Sequence, residues 1–525
     1  VLNIDSIASG GGSIIDYKQK RFIVGPGSAG AYPGPACYRN NGPLTITDCN
    51  LILGRIIPEF FPKYFGKNKS QKVSKDIAKK KFLILLKKVQ KDYPHIKNIH
   101  QLARSFLDVA VENMSSAIKK ITTYKGYELE KYTLLVLGSA SGQLACEVAE
   151  KLKIKKILFH PLSGFLSAYG AGISKKGETF ETSCEKVLNK NNLDSLINHS
   201  SKFIRKKYPS SKLVFFVRLK YFGSNTIISL PLKNKNINKI KSLFKKKHLK
   251  TYGFYYNKKD IFIDSIEIEA IQGHNLNLKF NLIDPNQSNI KNLNISNKSF
   301  FYKNNLIFIK SINSKSFTKK TSFKGPILFN DFNTTLVVER NWKINSKPNG
   351  SYEIIRNSYK SIKSEINIKT TFPRPEKLEI FNNLFFSIAE QMGEVLKNTA
   401  QSINVKERMD FSCALFNHNG DLIANAPHIP IHLGAMSDTV KHLIKKHKLK
   451  LLKGETLLHN DPYSGGTHLP DLTVISPFLN KQKNKILFLF ANRAHHSDVG
   501  GITPGSMPAF SKSIHEEGIL LNGFT

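Results

Sequence analysis

No apolar run in this 525-residue chain is long enough to span a bilayer, and no charged-then-apolar leader stands at its start. Neither a membrane anchor nor a secretory route is therefore expected. Cysteine is scarce: Cys37, Cys49, Cys146, Cys184 and Cys413 are odd in number, far apart and never spaced as CxxC. They read as reduced, structural thiols, and the location expected is cytoplasmic. Acidic residues are also few, 39 against 79 Lys and Arg, a formal charge of +40. Such an excess ordinarily raises nucleic acid as a partner. Here the lysines gather in polar stretches such as 67–72 and 234–241, with no aromatic stacking platform or recognisable binding motif between them. They read as a solvated surface, so neither nucleic acid nor membrane is expected as a partner, although an anionic substrate would gain from the field.

What is present suits a globular enzyme. Forty per cent of residues are hydrophobic and ten per cent aromatic, enough for cores, and the length implies two to four domains. Val1 is not an initiator and Leu521–Thr525 contains no boundary, so both ends are expected to be cut from something longer. Residues 1 to about 60 are rich in glycine and proline and read as short strands with tight loops. Leu102, Phe106, Val109, Met114, Ile118 and Ile121 recur at mostly helical spacing, predicting an amphipathic helix over 99–123. A buried strand at 133–137, a loop from Gly138, a helix near 143–152 and a strand at 157–159 form the grammar of an α/β layer. Alternating strands then predict a β-rich domain over 186–345, and the polar stretch 346–374 a linker. Pro375 opens a helix whose Leu378, Phe381, Leu384, Phe385, Ile388, Met392 and Leu396 form one apolar stripe, read as core.

Ligand-type side chains concentrate near the carboxyl end. Residues 460–471 contain Asp461, His468 and Asp471, and residues 493–501 contain His495, His496 and Asp498, both segments flanked by glycine. Imidazole and carboxylate suit zinc, manganese or iron, and catalytic sites of this kind keep one position open. On a straight strand His468 and Asp471 would face opposite ways, so a shared ion requires the bend that Gly465, Gly466 and Pro470 permit. The competing reading is that His495 and His496 cap the buried strand 486–490 with their nitrogens on backbone carbonyls.

Several longer strings carry a resemblance. Residues 25–38 (GPGSAGAYPGPACY), with Thr45–Asp48 and Leu53–Arg55, resemble the later part of the hydantoinase A/oxoprolinase module. Residues 404–413 (NVKERMDFSC), 425–436 (NAPHIPIHLGAM) and 501–508 (GITPGSMP), with the two ligand-rich segments, resemble the hydantoinase B/oxoprolinase module. The order on one chain is that of fused ATP-dependent 5-oxoprolinases. The resemblance implies an α/β fold: a partial actin-like ATPase-type module over 1–185 with a β-rich domain over 186–345, the linker 346–374, and an α+β B-type module over 375–525. It implies ATP with magnesium, a divalent metal (manganese, zinc or iron) in the B module, a small cyclic amide substrate, and a homodimer or other homo-oligomer. The two Asp-plus-glycine phosphate hairpins of such ATPases do not appear, so this stretch alone is expected not to hydrolyse ATP. The family's FGGAGGQHA loop reads Leu137-Gly-Ser-Ala-Ser-Gly-Gln-Leu-Ala145 here, with serines for two glycines and Leu144 for histidine.

The roles expected on this basis are specific. His468, Asp471 and His495 bind the metal, with Asp461, His496 and Asp498 as alternates. Glu407, Arg408 and Asp410 are the catalytic candidates, Glu407 as general base or as the salt-bridge partner of Arg408. Arg408 or Arg493 clamps a substrate carboxylate. Gly10, Gly11, Gly12 and Ser13, with Gly138 and Gly142, line the nucleotide cleft or else form packing turns. His428 and His432, beside two prolines, shape a loop, and Cys413 is not expected to be a nucleophile. The competing functions are N-methylhydantoinase, caprolactam-type amidohydrolase or ketone carboxylase, and a non-catalytic remnant.

Overall fold

The computed structural model describes residues 9–66, 68–124, 128–174, 176–224, 226–252, 254–272, 296–302, 305–313, 322–331, 334–347, 350–357, 375–400, 402–447, 454–480 and 485–525. It is mixed α/β, and its contacts divide into two units. One is drawn from residues 1–122, 128–174 and 276–384, the other from 123–127, 175–275 and 385–525. Among the described residues no helix is long and apolar enough to cross a membrane.

The first unit is built around the expected strand–loop–helix–strand. Thr133–Val136 pairs in parallel with Lys156–Phe159, and the helix Ala145–Lys151 makes the crossover. Antiparallel strands Tyr352–Arg356, Trp342–Ser346 and Ser322–Lys324 extend that sheet from the Lys156–Phe159 side. A second sheet pairs Thr335–Val338, Ile327–Asn330, Asn305–Asn313 and Ser296–Tyr302. The helix Ile99–Tyr124 buries Leu102, Phe106, Val109 and Ala110 in the same core as Ile157, Phe159 and Trp342. A buried ionic knot fastens the layers. Arg55, 2% exposed, donates to the Gln143 carbonyl at 2.8 Å, to Glu147 at 2.5 Å and to Glu339 at 2.8 Å. Arg104 holds the other oxygen of Glu147 and Asp108.

The strands expected as one block over 186–345 belong to different units. Lys176–Val187, Ile261–Gln272, Lys212–Tyr221 and Ile228–Pro231 form a four-stranded antiparallel sheet in the second unit, whereas the strands after 295 return to the first. The block also holds two helices that were not expected, Lys190–Lys207 and Ile237–Tyr252. The lysine-rich run 234–241 leads into the second of these, which buries Ile240, Phe244 and His248 at four-residue spacing. Lysine dilutes the apolar signal without opposing a helix, because its propensity is high. Much of the expected linker 346–374 lies outside the described residues, but Tyr352–Arg356 within it is a sheet strand.

The remainder of the second unit is a six-stranded sheet in the order Leu422–Asn425, Phe411–Asn417, Ile486–His495, Asp471–Leu479, Leu457–His459, Asn522–Phe524. Period-two alternation sorts its central strands. Leu489, Ala491, Ile475 and Ala414 share a core with Met436, Val440 and Leu443 of the helix Pro430–His447, whereas Leu415 and Phe490 pack with Phe385, Ile388 and Ala389 of the helix Pro375–Thr399. The expected stripe on that second helix is half-buried from Leu384 onward, while Leu378 and Phe381 are exposed. Cys413 is wholly buried, which pushes its thiol up to about 12 and makes a nucleophile of it implausible.

Candidate metal centre

The face that carries Leu489 and Ala491 changes character as the strands end. Continuing by twos, Arg493 and His495 follow on one strand, and Thr473 and Asp471 on its neighbour, with Asp471 opposite His495 and Thr473 opposite Arg493. His468 arrives from the preceding loop. There Gly465 adopts φ +92°, and a Cβ on it would stand 2.3 Å from the Thr439 nitrogen, so the turn admits only glycine. A further turn, closed by Asp471 N–H on the His468 carbonyl, brings the two side chains to the same side, as the sequence required.

The three expected ligands meet. His468 Nε2 lies 3.1 Å from His495 Nδ1 and 3.5 Å from Asp471 Oδ1, and His495 Nδ1 lies 3.1 Å from the same oxygen. Donors about 2.1 Å from a tetrahedral cation stand about 3.4 Å apart, so these separations fit one ion. Proton chemistry fits less well. His495 Nδ1 faces both His468 and the carboxylate, and one ring nitrogen offers either a proton or a lone pair, never both. Asp471 is 1% exposed. Burial alone would raise its pKa, but hydrogen bonds from His432 and Thr467 and the surrounding rings hold it well below the carboxylate range. Burial also lowers His468, outweighing the pull of Asp471, which favours the neutral ring a metal needs.

His432 is the residue that sequence reasoning misplaced. It does not shape a loop: Pro430 sits at the start of a helix, where a proline costs nothing. His432 then falls on the buried face with Met436, Val440 and Leu443, with Nε2 3.3 Å from Asp471 Oδ2 and 3.7 Å from Asp410 Oδ1, and with Nδ1 buried and unpartnered. Its spacing to those three apolar positions was the signal. His428 behaves as expected, accepting the Cys413 N–H and packing on Phe411.

Other expectations separate. Asp410 reaches the cluster through His432, and its carbonyl accepts the His495 N–H. Glu407 and Arg408 are exposed, and Glu407 lines a different cavity. Arg493 cannot clamp a substrate: it is fully buried and donates to Thr473, Thr439 and the carbonyls of Gly465 and His432. Burial lowers it to about 10, still a cation at neutral pH. Asp461 caps the short turn Pro462–Ser464 and accepts from Asn522; Asp498 organises the loop at Gly500 and Gly505; His496 is exposed, with its N–H on the Pro470 carbonyl.

Among the glycines of the first unit, Gly138 holds φ +84° at the end of Thr133–Val136 with open space where a Cβ would be, and Gly10 is likewise open. A Cβ on Gly11 would lie 3.2 Å from Ala140, so the two glycine loops adjoin. Gly142 is packed: its Cβ would stand 2.7 Å from the Thr335 carbonyl. Gly12 faces Ser28, and Ser13 is buried at the start of its strand.

The sequence comparisons follow this layout. Residues 1–178 match the family profile described as Hydantoinase/oxoprolinase, and residues 374–525 that described as Hydantoinase B/oxoprolinase. The chain belongs to the hydantoinase/oxoprolinase family. A 5-oxoprolinase of Dictyostelium discoideum is 38% identical over 99% of this hydantoinase/oxoprolinase chain, and one of Saccharomyces cerevisiae is 36% identical over 99%. The chain spans 42% of the length of each. The ATP-dependent caprolactamase of Pseudomonas jessenii shares the fold, with a TM-score of 0.57 at 17% identity over 66% of this chain and 52% of that one.

A buried histidine beside the centre yields a pH prediction. His459 is fully buried with both ring nitrogens unpartnered, and burial, partly opposed by Asp461, lowers it to about 4. Unfolded, the ring takes its proton near 6.5. Between those values the unfolded state binds more protons, so stability rises with pH, and acidification from 6.5 to about 4 should remove about 3 kcal/mol. Urea titrations of wild type and His459→Leu across that window check this; an identical acid slope in both would remove His459 as its source.

Proposed function

We propose that this chain carries part of an ATP-dependent cyclic amidohydrolase that opens the lactam of 5-oxo-L-proline to L-glutamate. The observation that supports this reading above others is the alignment of both modules, in one continuous chain, with 5-oxoprolinases. A five-membered lactam is resonance-stabilised, and its hydrolysis is uphill. Transfer of a phosphoryl group from ATP to the amide oxygen makes the carbonyl carbon electrophilic. Water then adds and the C–N bond breaks with its electron pair taking a proton at nitrogen, which leaves an acyl phosphate. A second water attacks that acyl carbon, the C–O bond to phosphate breaks, and phosphate and the carboxylate are released. The balance is ATP, lactam and two waters to ADP, phosphate and glutamate.

Gly10 and Gly138, the open positions of two adjoining loops, are the places where backbone would approach the phosphates of ATP with its magnesium. His468, Asp471 and His495 would hold a divalent cation, and an N2O donor set suits manganese, zinc or iron. Such a cation supplies Lewis acidity toward a carbonyl or a water. The protein's own part is to keep Asp471 ionised, to orient it through His432 and Thr467, and to brace the strand ends through Arg493. Turnover assays on the complete gene product test the reading. Phosphate and glutamate should appear in equal amounts from oxoproline, and faster turnover of hydantoin or caprolactam would displace it in favour of a related amidohydrolase.

A further inference from the structure

The second unit holds a cavity of about 320 Å³ that none of the chemistry above uses. Glu185, Lys220, Phe222 and Phe262 contribute from the four-stranded sheet and the turn after Lys212–Tyr221, and Lys406 and Glu407 from the end of the short helix Ile403–Lys406. Lys220 Nζ is 2.6 Å from Glu185 and 3.0 Å from Asp264. Lys406 Nζ donates to a neutral partner, Thr226 Oγ1, at 2.9 Å. Burial lowers the Lys406 ammonium and Glu407 offsets this only in part, the mark of a cation its protein surroundings leave under-compensated. Phe222 and Phe262 lie with ring centroids 5.2 Å apart, and Phe222 is 65% exposed.

This lining selects a class of ligand. It holds two cations and two carboxylates, so a simple anion would meet Glu185 and Glu407, and a simple cation would meet the two lysines. A small molecule bearing both charges adds a carboxylate to Lys406, whose ammonium donates to the neutral Thr226, and an ammonium beside Glu185, which shares the single Lys220 with Asp264. The phenylalanine pair offers an apolar surface for the remainder. At about 30 Å³ per water the space displaces about ten waters, room for a solute of about ten heavy atoms. We propose that this cavity binds a free α-amino acid with an apolar side chain, its carboxylate on Lys406, its ammonium toward Glu407 and Glu185, and its side chain on Phe222 and Phe262. The proposal stands apart from lactam hydrolysis and needs neither ATP nor oxoproline.

Calorimetric titration of the full chain with L-leucine and L-phenylalanine tests it, against 4-methylpentanoate and 3-methylbutylamine, which retain the apolar group and one charge each. Saturable binding of the amino acids, at least about tenfold tighter than either analogue, is expected. Lys406→Met and Glu407→Gln should each weaken it by at least about tenfold. Should either variant fail to fold, Phe222→Ala, at an exposed position, carries the same expectation. No heat up to millimolar amino acid, equal binding of either singly charged analogue, or unchanged affinity in the folded variants would overturn the assignment.

Discussion

Asp471→Ala should lower cation affinity by at least about 100-fold, a loss read directly as metal content after equilibrium dialysis. Removing a group that merely orients a ligand costs 10–100-fold, which sets the floor for removing a ligand. Asp471 is the only carboxylate of the triad, and its Oδ1 faces both rings at 3.1 and 3.5 Å. The variant leaves two imidazoles and no negative charge for the ion. It also strips His432 of its nearest partner at 3.3 Å, so Asp471→Asn serves as the shape-preserving control. His468→Ala should reproduce the loss without disturbing His432. Affinity should also fall in acid, as protons compete for His468 below the ordinary imidazole value of 6.5. Wild-type metal stoichiometry in both alanine variants would refute the site.

Arg55→Ala should destabilise the first unit by about 3–5 kcal/mol, the cost of leaving buried carboxylates without their cation. Arg104 remains to serve Glu147, but Glu339 has no second arginine at hydrogen-bond distance among the described contacts. Burial already raises the Glu339 pKa, with Arg55 opposing and Glu147 adding to the rise, so the variant should drive Glu339 to take up a proton. Lysine should not rescue, because a point charge cannot reach the Gln143 carbonyl, Glu147 and Glu339 together as the planar guanidinium does. Thermal unfolding should show a midpoint lower by on the order of 10 °C. A change under about 1 kcal/mol would mean that the pair charges are worth little more than their desolvation.

Legibility in the sequence followed the local character of each signal. The βαβ core, the long amphipathic helix and the meeting of His468, Asp471 and His495 depend on short-range spacing and glycine-permitted bends, and all are present. His432 was hidden because two prolines suggested a loop, whereas Pro430 begins a helix and its apolar partners lie up to eleven residues downstream. Arg493 looked available because a lone arginine beside histidines suggests substrate; only the strand register reveals that it points under the helix, toward Thr439. Glu407 and Asp410, three apart, read as one site, yet the chain turns between them at Met409, φ +54°, so that Glu407 lines a cavity while Asp410 faces His432. The return of strands after 295 to the first unit depends on pairings near 200 residues apart, such as Tyr352 with Phe159, which no window of sequence displays.

Asp471 and His495 are cross-strand neighbours, and a slip of one residue in that pairing would put their two side chains on opposite faces of the sheet. An ion gripped there would therefore act as a rivet that can be set only after the hairpin has closed in its native alignment. Engaging the folded form alone, such an ion would deepen that form by about 1.4 kcal/mol for each tenfold excess over its dissociation constant, and misaligned sheets would receive none of it.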